Sequence, residues 1–400
     1  RMESLTVLSN LRNTEVYKAY EDTMSALYTT PVEFCQKYAQ LCRFHFENRD
    51  LGKLLAQEIH FDINVLTNQL HQPLSAEIRK AIDFDLYTIN TLISLSGADF
   101  LEFAGKAYPK FSSTLQELPT FPAGSPLPFG NCEGLCQLYR KHGFGYFARA
   151  NAYQIVDNQF QPIEHPDPIR LTDLKGYTLE KKTIRDNTLA LLAGKTSNNI
   201  LLYGDKGCGK SSTVKAIANA YREEGLRLIE LTKDQLRFIP RIMEHLCRNP
   251  LKFILFIDDL TFSENDPNFG TLKATLEGSI AARMKNTVIY ATSNRRHLVK
   301  ETFDDGSDKH QNDTVQERIS LSERFGITVT YTRPQKELYL EIVHSLAEQA
   351  GLHMDASQLD MEAEQFALGK CGRSARAARQ FIDTLLTKEP TVTEGAESSC

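Results

Sequence analysis

An α/β fold, a parallel sheet with helices on both faces, is predicted for residues 171–333 by three observations. From Leu171 onward helical and strand patterns alternate, which is the signature of a sheet whose parallel strands are joined by covering helices. Several of those strands are continuous apolar runs, as expected of strands buried on both faces. One of them, Ile200-Leu-Leu-Tyr-Gly204, runs straight into a glycine loop and a helix. An all-helical domain is predicted ahead of this core and a helical lid behind it.

Residues 1–118 are rich in helix formers with apolar residues three and four apart, as in Leu66-Thr-Asn-Gln-Leu70 and Leu92-Ile-Ser-Leu95. Helix is stopped at Leu118-Pro-Thr-Phe-Pro-Ala-Gly-Ser-Pro-Leu-Pro128, which places a boundary at 118. Residues 119–170 are read as a linker followed by a short helix and turn over 135–147 and a small β-hairpin over 148–163, where apolar and polar residues alternate. The core follows over 171–333, the helical lid over 334–388, and a small polar tail over 389–400.

The 400 residues, 41% hydrophobic and 24% charged, are those of an ordinary soluble chain with room for two or three domains. A net charge of -5 argues against a protein that coats nucleic acid, although a local basic groove would not show in the sum. The eight cysteines are scattered without a C-x-x-C pair, and no protein-bound zinc is expected. The densest apolar run, Phe253-Ile-Leu-Phe-Ile257, is too short to span a bilayer, and no signal-peptide core is evident near residue 1. A cytoplasmic protein without a membrane partner is the expectation.

The loop Gly204-Asp205-Lys206-Gly207-Cys208-Gly209-Lys210-Ser211-Ser212 fits the P-loop pattern G-x-x-x-x-G-K-[ST] at every fixed position. Glycines at 204, 207 and 209 let the backbone curl so that its N–H groups face phosphate oxygens. Lys210 is expected to reach the β and γ phosphates of ATP, and Ser211 to put its hydroxyl on Mg²⁺. The helix that begins there adds the positive end of its dipole.

Lys252-Phe-Ile-Leu-Phe-Ile-Asp258-Asp259 is a buried strand delivering two acids at its C-terminal end. In an open α/β sheet that end lies beside the loop. Asp258 is expected to hold Mg²⁺ through water and Asp259 to polarise the attacking water. The plainer reading is an acidic turn after a core strand. A third strand, Thr287-Val-Ile-Tyr-Ala-Thr-Ser-Asn294, ends in an amide that either orients water against the γ phosphate or caps a turn. Arg324, in Glu323-Arg-Phe-Gly326 before another predicted strand, is either a finger reaching a neighbouring subunit's site or a surface arginine paired with an acid. Arg373, Arg376 and Arg379 fall three apart along one helix face. Arg376 is the first choice, and Arg373 the second, for a lid arginine over the nucleotide; a solvated basic stripe is the alternative. Arg295-Arg-His297 could touch a polynucleotide, though a solvated loop accounts for it as well. Phe262, just before the turn-forming stretch 264–270, and Phe269 within it are suited either to client contact or to simple packing.

Taken in this order, the segment from about 170 to 388 resembles an AAA+ ATPase. The strings Asn198-Asn-Ile-Leu-Leu-Tyr-Gly-Asp-Lys-Gly-Cys-Gly-Lys-Ser-Ser-Thr-Val-Lys-Ala216, Ala291-Thr-Ser-Asn-Arg-Arg-His-Leu298, Leu321-Ser-Glu-Arg-Phe-Gly326 and Ala378-Arg-Gln-Phe-Ile-Asp383 are similar to the bacterial family called domain of unknown function 815. That resemblance covers the C-terminal two-thirds and implies binding and hydrolysis of ATP, with no client specified. Cys208 stands where threonine is common in such loops, and Asp259 where glutamate is usual. The expected protein is an ATP-hydrolysing remodeller or loader acting as a homo-oligomer on an unknown protein client, with nucleic acid unsupported. A nucleotide-gated binding protein with negligible turnover is the competing reading.

Overall fold

The computed structural model describes residues 4–48, 50–262, 266–276, 285–294, 323–370 and 372–388. The chain forms two compact units, one of residues 1–150 with 248–251 and one of residues 151–247 with 252–400.

The first unit is helical. Thr14 ahead of Glu15–Ala26, Asp50 ahead of Leu51–His60, Ser75 ahead of Ala76–Ile93 and Ser96 ahead of Gly97–Ala107 each accept hydrogen bonds from first-turn amides, satisfying donors that a helix leaves open. The apolar faces converge on a core that contains Tyr17, Tyr20, Phe34, Tyr38 and Phe100.

The proline-punctuated stretch after 118 belongs to this core. Tyr38 donates its hydroxyl to Pro119 O at 2.7 Å, and Phe121 stacks on the Tyr38 ring at 6.0 Å. Ser125 donates to the Asp50 carboxylate at 2.6 Å. At Gly52 an added Cβ would stand 1.9 Å from Ser125 O, so only glycine allows this close passage. Phe121, Leu127 and Phe129 are buried, together with Leu135 and Tyr139 of the helix Cys132–His142. The division between units therefore falls at 150 rather than at 118. Prolines end helices, but the apolar residues between them still gain by burial.

Among its described residues the second unit has a seven-stranded sheet. The strands are β1 (Ala152–Val156), β2 (Gln159–Pro162), β3 (Ile200–Gly204), β4 (Leu226–Leu231), β5 (Lys252–Ile257), β6 (Thr287–Ser293) and β7 (Ile327–Tyr331), in the order β2-β1-β4-β5-β6-β3-β7. Asp157 and Asn158, with φ of 51° and 60°, make the two-residue turn of the β1–β2 hairpin, the left-handed pair that matches the twist of the flanking strands. β1 also lies parallel to β4, so the hairpin extends the sheet. The remaining pairings are parallel. β4 reads Leu-Arg-Leu-Ile-Glu-Leu; its two charges mask it as a strand in the sequence, yet Arg227 is buried.

The strand order sets β6 between β3 and β5. The C-terminal ends of three adjacent parallel strands thus open on one edge of the sheet, where ligands of such folds bind. Behind β7 the helices Lys336–Gln349, Ala356–Gly369 and Ala375–Lys388 pack around Tyr339, Val343, Ala363 and Phe381 to form the helical lid. No helix of the described residues is long and apolar enough to cross a membrane. Arg295, Arg296, His297 and residues 389–400 lie outside the described residues.

Candidate functional site

The loop between β3 and the helix Lys210–Ala220 takes its shape from three glycines with positive φ: 139° at Gly204, 77° at Gly207 and 91° at Gly209. Two of them also meet neighbours. An added Cβ at Gly204 would lie 1.9 Å from Tyr331 O, and one at Gly207 would lie 3.1 Å from Arg376 Cβ. Cys208 turns inward and is buried in the sheet's apolar core, and that burial pushes its thiol pKa up. Its side chain is thus a packing group, whereas its backbone belongs to the cleft.

Lys210 is 6% exposed. Its ammonium donates to Gly204 O at 2.9 Å, Asp205 O at 2.7 Å and Asn294 Oδ1 at 3.1 Å. Burial nevertheless outweighs nearby negative charge and lowers its pKa. Asn294 completes a relay, because its Nδ2 donates to Asp259 Oδ1 at 2.5 Å.

A second network lies beside the first. Asp258 Oδ1 accepts from Ser211 Oγ at 2.6 Å and from Thr292 Oγ1 at 2.5 Å. Thr292 Oγ1 also accepts the Asp259 amide at 2.9 Å, and Thr292 O accepts the Leu260 amide at 2.7 Å. Asp259 has a φ of 51°, a left-handed conformation that costs a non-glycine residue energy and is held here by its hydrogen bonds. The Ser211 hydroxyl and the Asp258 carboxylate converge as hard oxygen donors of the kind magnesium takes. Thr292 was not legible as a site residue. Its one sequence signal is its place near the end of β6, two residues before Asn294.

These groups form the floor of a 690 Å³ cleft, a size suited to a mononucleotide. Lys206 to Thr213, Asp258, Asp259, Thr292 and Asn294 line it. Pro168, Ile169 and Leu174, and the lid residues Ile342, Leu346, Arg376 and Arg379, are also among its lining residues. The lid touches the loop directly, since the Arg376 amide donates to Gly207 O at 3.3 Å. Arg373 is engaged elsewhere: it holds Glu364 through two hydrogen bonds of 2.9 and 2.6 Å, and this pairing keeps the Glu364 carboxyl below its ordinary value. Arg379, the third arginine of the series and neither the first nor the second choice from the sequence, lines the cleft as well.

Asp205 is tied to the end of β7, where the Arg333 side chain lies 3.3 Å and its amide 3.2 Å from the carboxylate. Arg324 stands half-buried in the turn 323–326 ahead of β7, outside the described residues that line the cleft. Phe262 is buried and packs edge-on against Phe269 at 5.5 Å. Lys233, paired with Asp266, lies 5.3 Å over the Phe262 ring.

The parallel sheet, the glycine loop at the tip of β3 and the helical lid give the second unit a P-loop α/β fold. Residues 148–389 match the family described as Protein of unknown function (DUF815), and the chain belongs to that family. No functionally curated protein matches it. Among solved structures it is similar to the Thermotoga maritima RuvB Holliday junction branch migration motor, with 16% identity over 55% of this chain and a TM-score of 0.39. It is also similar to the replication initiator DnaA bound to AMPPCP and single-stranded DNA, with 17% identity over 56% of this chain and a TM-score of 0.41. The chain spans 65% of the RuvB chain and 67% of the DnaA chain.

Proposed function

We propose that this chain binds Mg-ATP and hydrolyses it, working as an oligomer to remodel or load a client. The observation that carries this reading is the meeting of the two networks, Lys210–Asn294–Asp259 and Ser211–Asp258–Thr292, on the floor of one lidded cleft. In this reading the loop amides and Lys210 hold the phosphates, and Ser211 and Asp258 hold magnesium. The metal would supply positive charge against the phosphate oxygens. Asp259 and Asn294 align the attacking water. Arg376 reaches the phosphates from the lid with Arg379 beside it, and Arg324 acts on the nucleotide of a neighbouring subunit. The apolar walls at Ile169, Leu174, Ile342 and Leu346 receive the base.

The test is phosphate release from Mg-ATP against protein concentration, for the wild type, Asp259→Asn and Arg324→Ala. Specific activity is expected to rise with concentration, and both substitutions to abolish it while ATP still binds. The hydrogen bond between the Arg376 amide and Gly207 O favours a second reading, because filling the loop must then be felt by the lid. A nucleotide-gated binding protein would bind ATP at every concentration and release no phosphate at any.

A further inference from the structure

One wall of the cleft, at residues 167–169, belongs to a strap of chain, residues 163–171, between β2 and the core. Its ends are anchored: Ile163 and Leu171 pack against the sheet's apolar core. Between them, residues 164–168 are exposed and have little packing of their own. What holds the middle is one amide group on the last turn of the P-loop helix. Asn219 Nδ2 donates to Asp167 O at 2.7 Å and to Ile169 O at 3.0 Å, across 52 and 50 residues of sequence. Those two carbonyls flank Pro168, and residues 167–169 line the cleft while Asn219 stands behind them. The strap also braces itself locally, through the Ile169 amide on Asp167 Oδ1 at 3.2 Å and the Arg170 amide on Asp173 Oδ2 at 2.8 Å. Neither contact ties it to the helix.

We infer that Asn219 is a positioning residue for the nucleobase: by clamping residues 167–169 to the P-loop helix, it fixes the base wall in register with the phosphate loop at the other end of the same helix. This rests on the reading of the cleft as an ATP site. The helix carries Lys210 and Ser211 at its start and Asn219 at its end. One rigid element therefore sets the distance between the phosphate seat and the base wall, and the site measures a nucleotide from phosphate to base. Without the clamp the strap remains attached at Ile163 and Leu171, so the fold is retained and only the base wall loosens.

The experiment compares the binding of Mg-ATP and of Mg-tripolyphosphate, which has no base, to the full chain by calorimetry. The proteins are the wild type, Asn219→Asp, which turns the donor into an acceptor of nearly the same shape, and Asn219→Ala. Both variants are expected to lose about tenfold in ATP affinity while tripolyphosphate affinity stays within about twofold, since two hydrogen bonds to the base wall are lost and none to the phosphate seat. Equal weakening of both ligands would mark general damage to the loop and overturn the clamp, as would ATP affinity unchanged in both variants. A wild type that binds ATP no better than tripolyphosphate overturns the base wall itself. A wild type that binds neither overturns the ATP reading, and the clamp's role with it.

Discussion

Replacing Lys210 by methionine separates what the lysine does for the fold from what it does for a nucleotide. Its ammonium makes three hydrogen bonds, to Gly204 O, Asp205 O and Asn294 Oδ1, and each such bond from a charged donor contributes roughly 1.5–3 kcal/mol. Against this stands the loss of hydration of a cation that is only 6% exposed, on the order of several kcal/mol. The lowered pKa gives the sign of the difference, with desolvation its largest cause: the ligand-free site disfavours the charge on balance. Methionine fills similar space without charge, and the two carbonyls it leaves behind belong to Gly204 and Asp205, which are only half-buried. The ligand-free Lys210→Met variant is therefore expected to unfold within about 1 kcal/mol of the wild type, or slightly above it. With ATP at a hundredfold its Kd the wild type gains about 2.7 kcal/mol, roughly 5–11 °C in the Tm of a domain this size, and the variant gains nothing. Melting curves with and without Mg-ATP measure both quantities. A ligand-free variant destabilised by more than about 3 kcal/mol would show that the three hydrogen bonds outweigh desolvation, and would refute the argument.

The same sign governs pH. A lysine whose folded pKa is depressed weakens the fold below that value, and the penalty is relieved as pH rises from it toward the ordinary 10.5; the stability of the ligand-free wild type should gain on that of Lys210→Met across this window in denaturant titrations. Thr292→Val removes the hydroxyl that joins Asp258 to the Asp259 amide, so ATP turnover is expected to fall at least about tenfold while ATP affinity changes little, as read from a kcat and KM split. Arg376→Ala should weaken ATP binding markedly, whereas Arg373→Ala should leave it near the wild-type value and instead lower the thermal stability of the lid, since Arg373 is committed to Glu364. Gly204→Ala drives a methyl to 1.9 Å from Tyr331 O and should separate the end of β3 from β7, with a cost of about 3 kcal/mol or more in stability and loss of the site.

Much of the second unit is legible because its signals are local. The P-loop must have glycines where φ is positive, and the apolar runs of β3, β5 and β6 must be buried on both faces, so composition alone marks them. The two acids at 258 and 259 and the amide at 294 are visible for the same reason, each being a polar group at the end of an apolar strand. β4 escapes notice because Arg227 and Glu230 interrupt its pattern. The hairpin over 148–163 is visible as alternation, but alternation does not name a partner, and only the folded chain sets β1 parallel to β4.

The sequence by itself determined many of the elements and the polar groups at their tips, since both depend on residue type and short spacing. The tertiary structure alone decided which tips meet. It put β6 between β3 and β5, so that Asn294 bridges Lys210 and Asp259 and Thr292 reaches Asp258. It sorted three arginines spaced three apart into one held by Glu364 and two that face the cleft, a difference of helix rotation and neighbours that the spacing does not carry. It drew the stretch after Leu118 into the helical core through Phe121 and Leu127, because burial of apolar surface does not require regular secondary structure. It also joined Asn219 to Asp167 and Ile169 across some fifty residues, a pairing that exists only once helix and strap have been packed side by side.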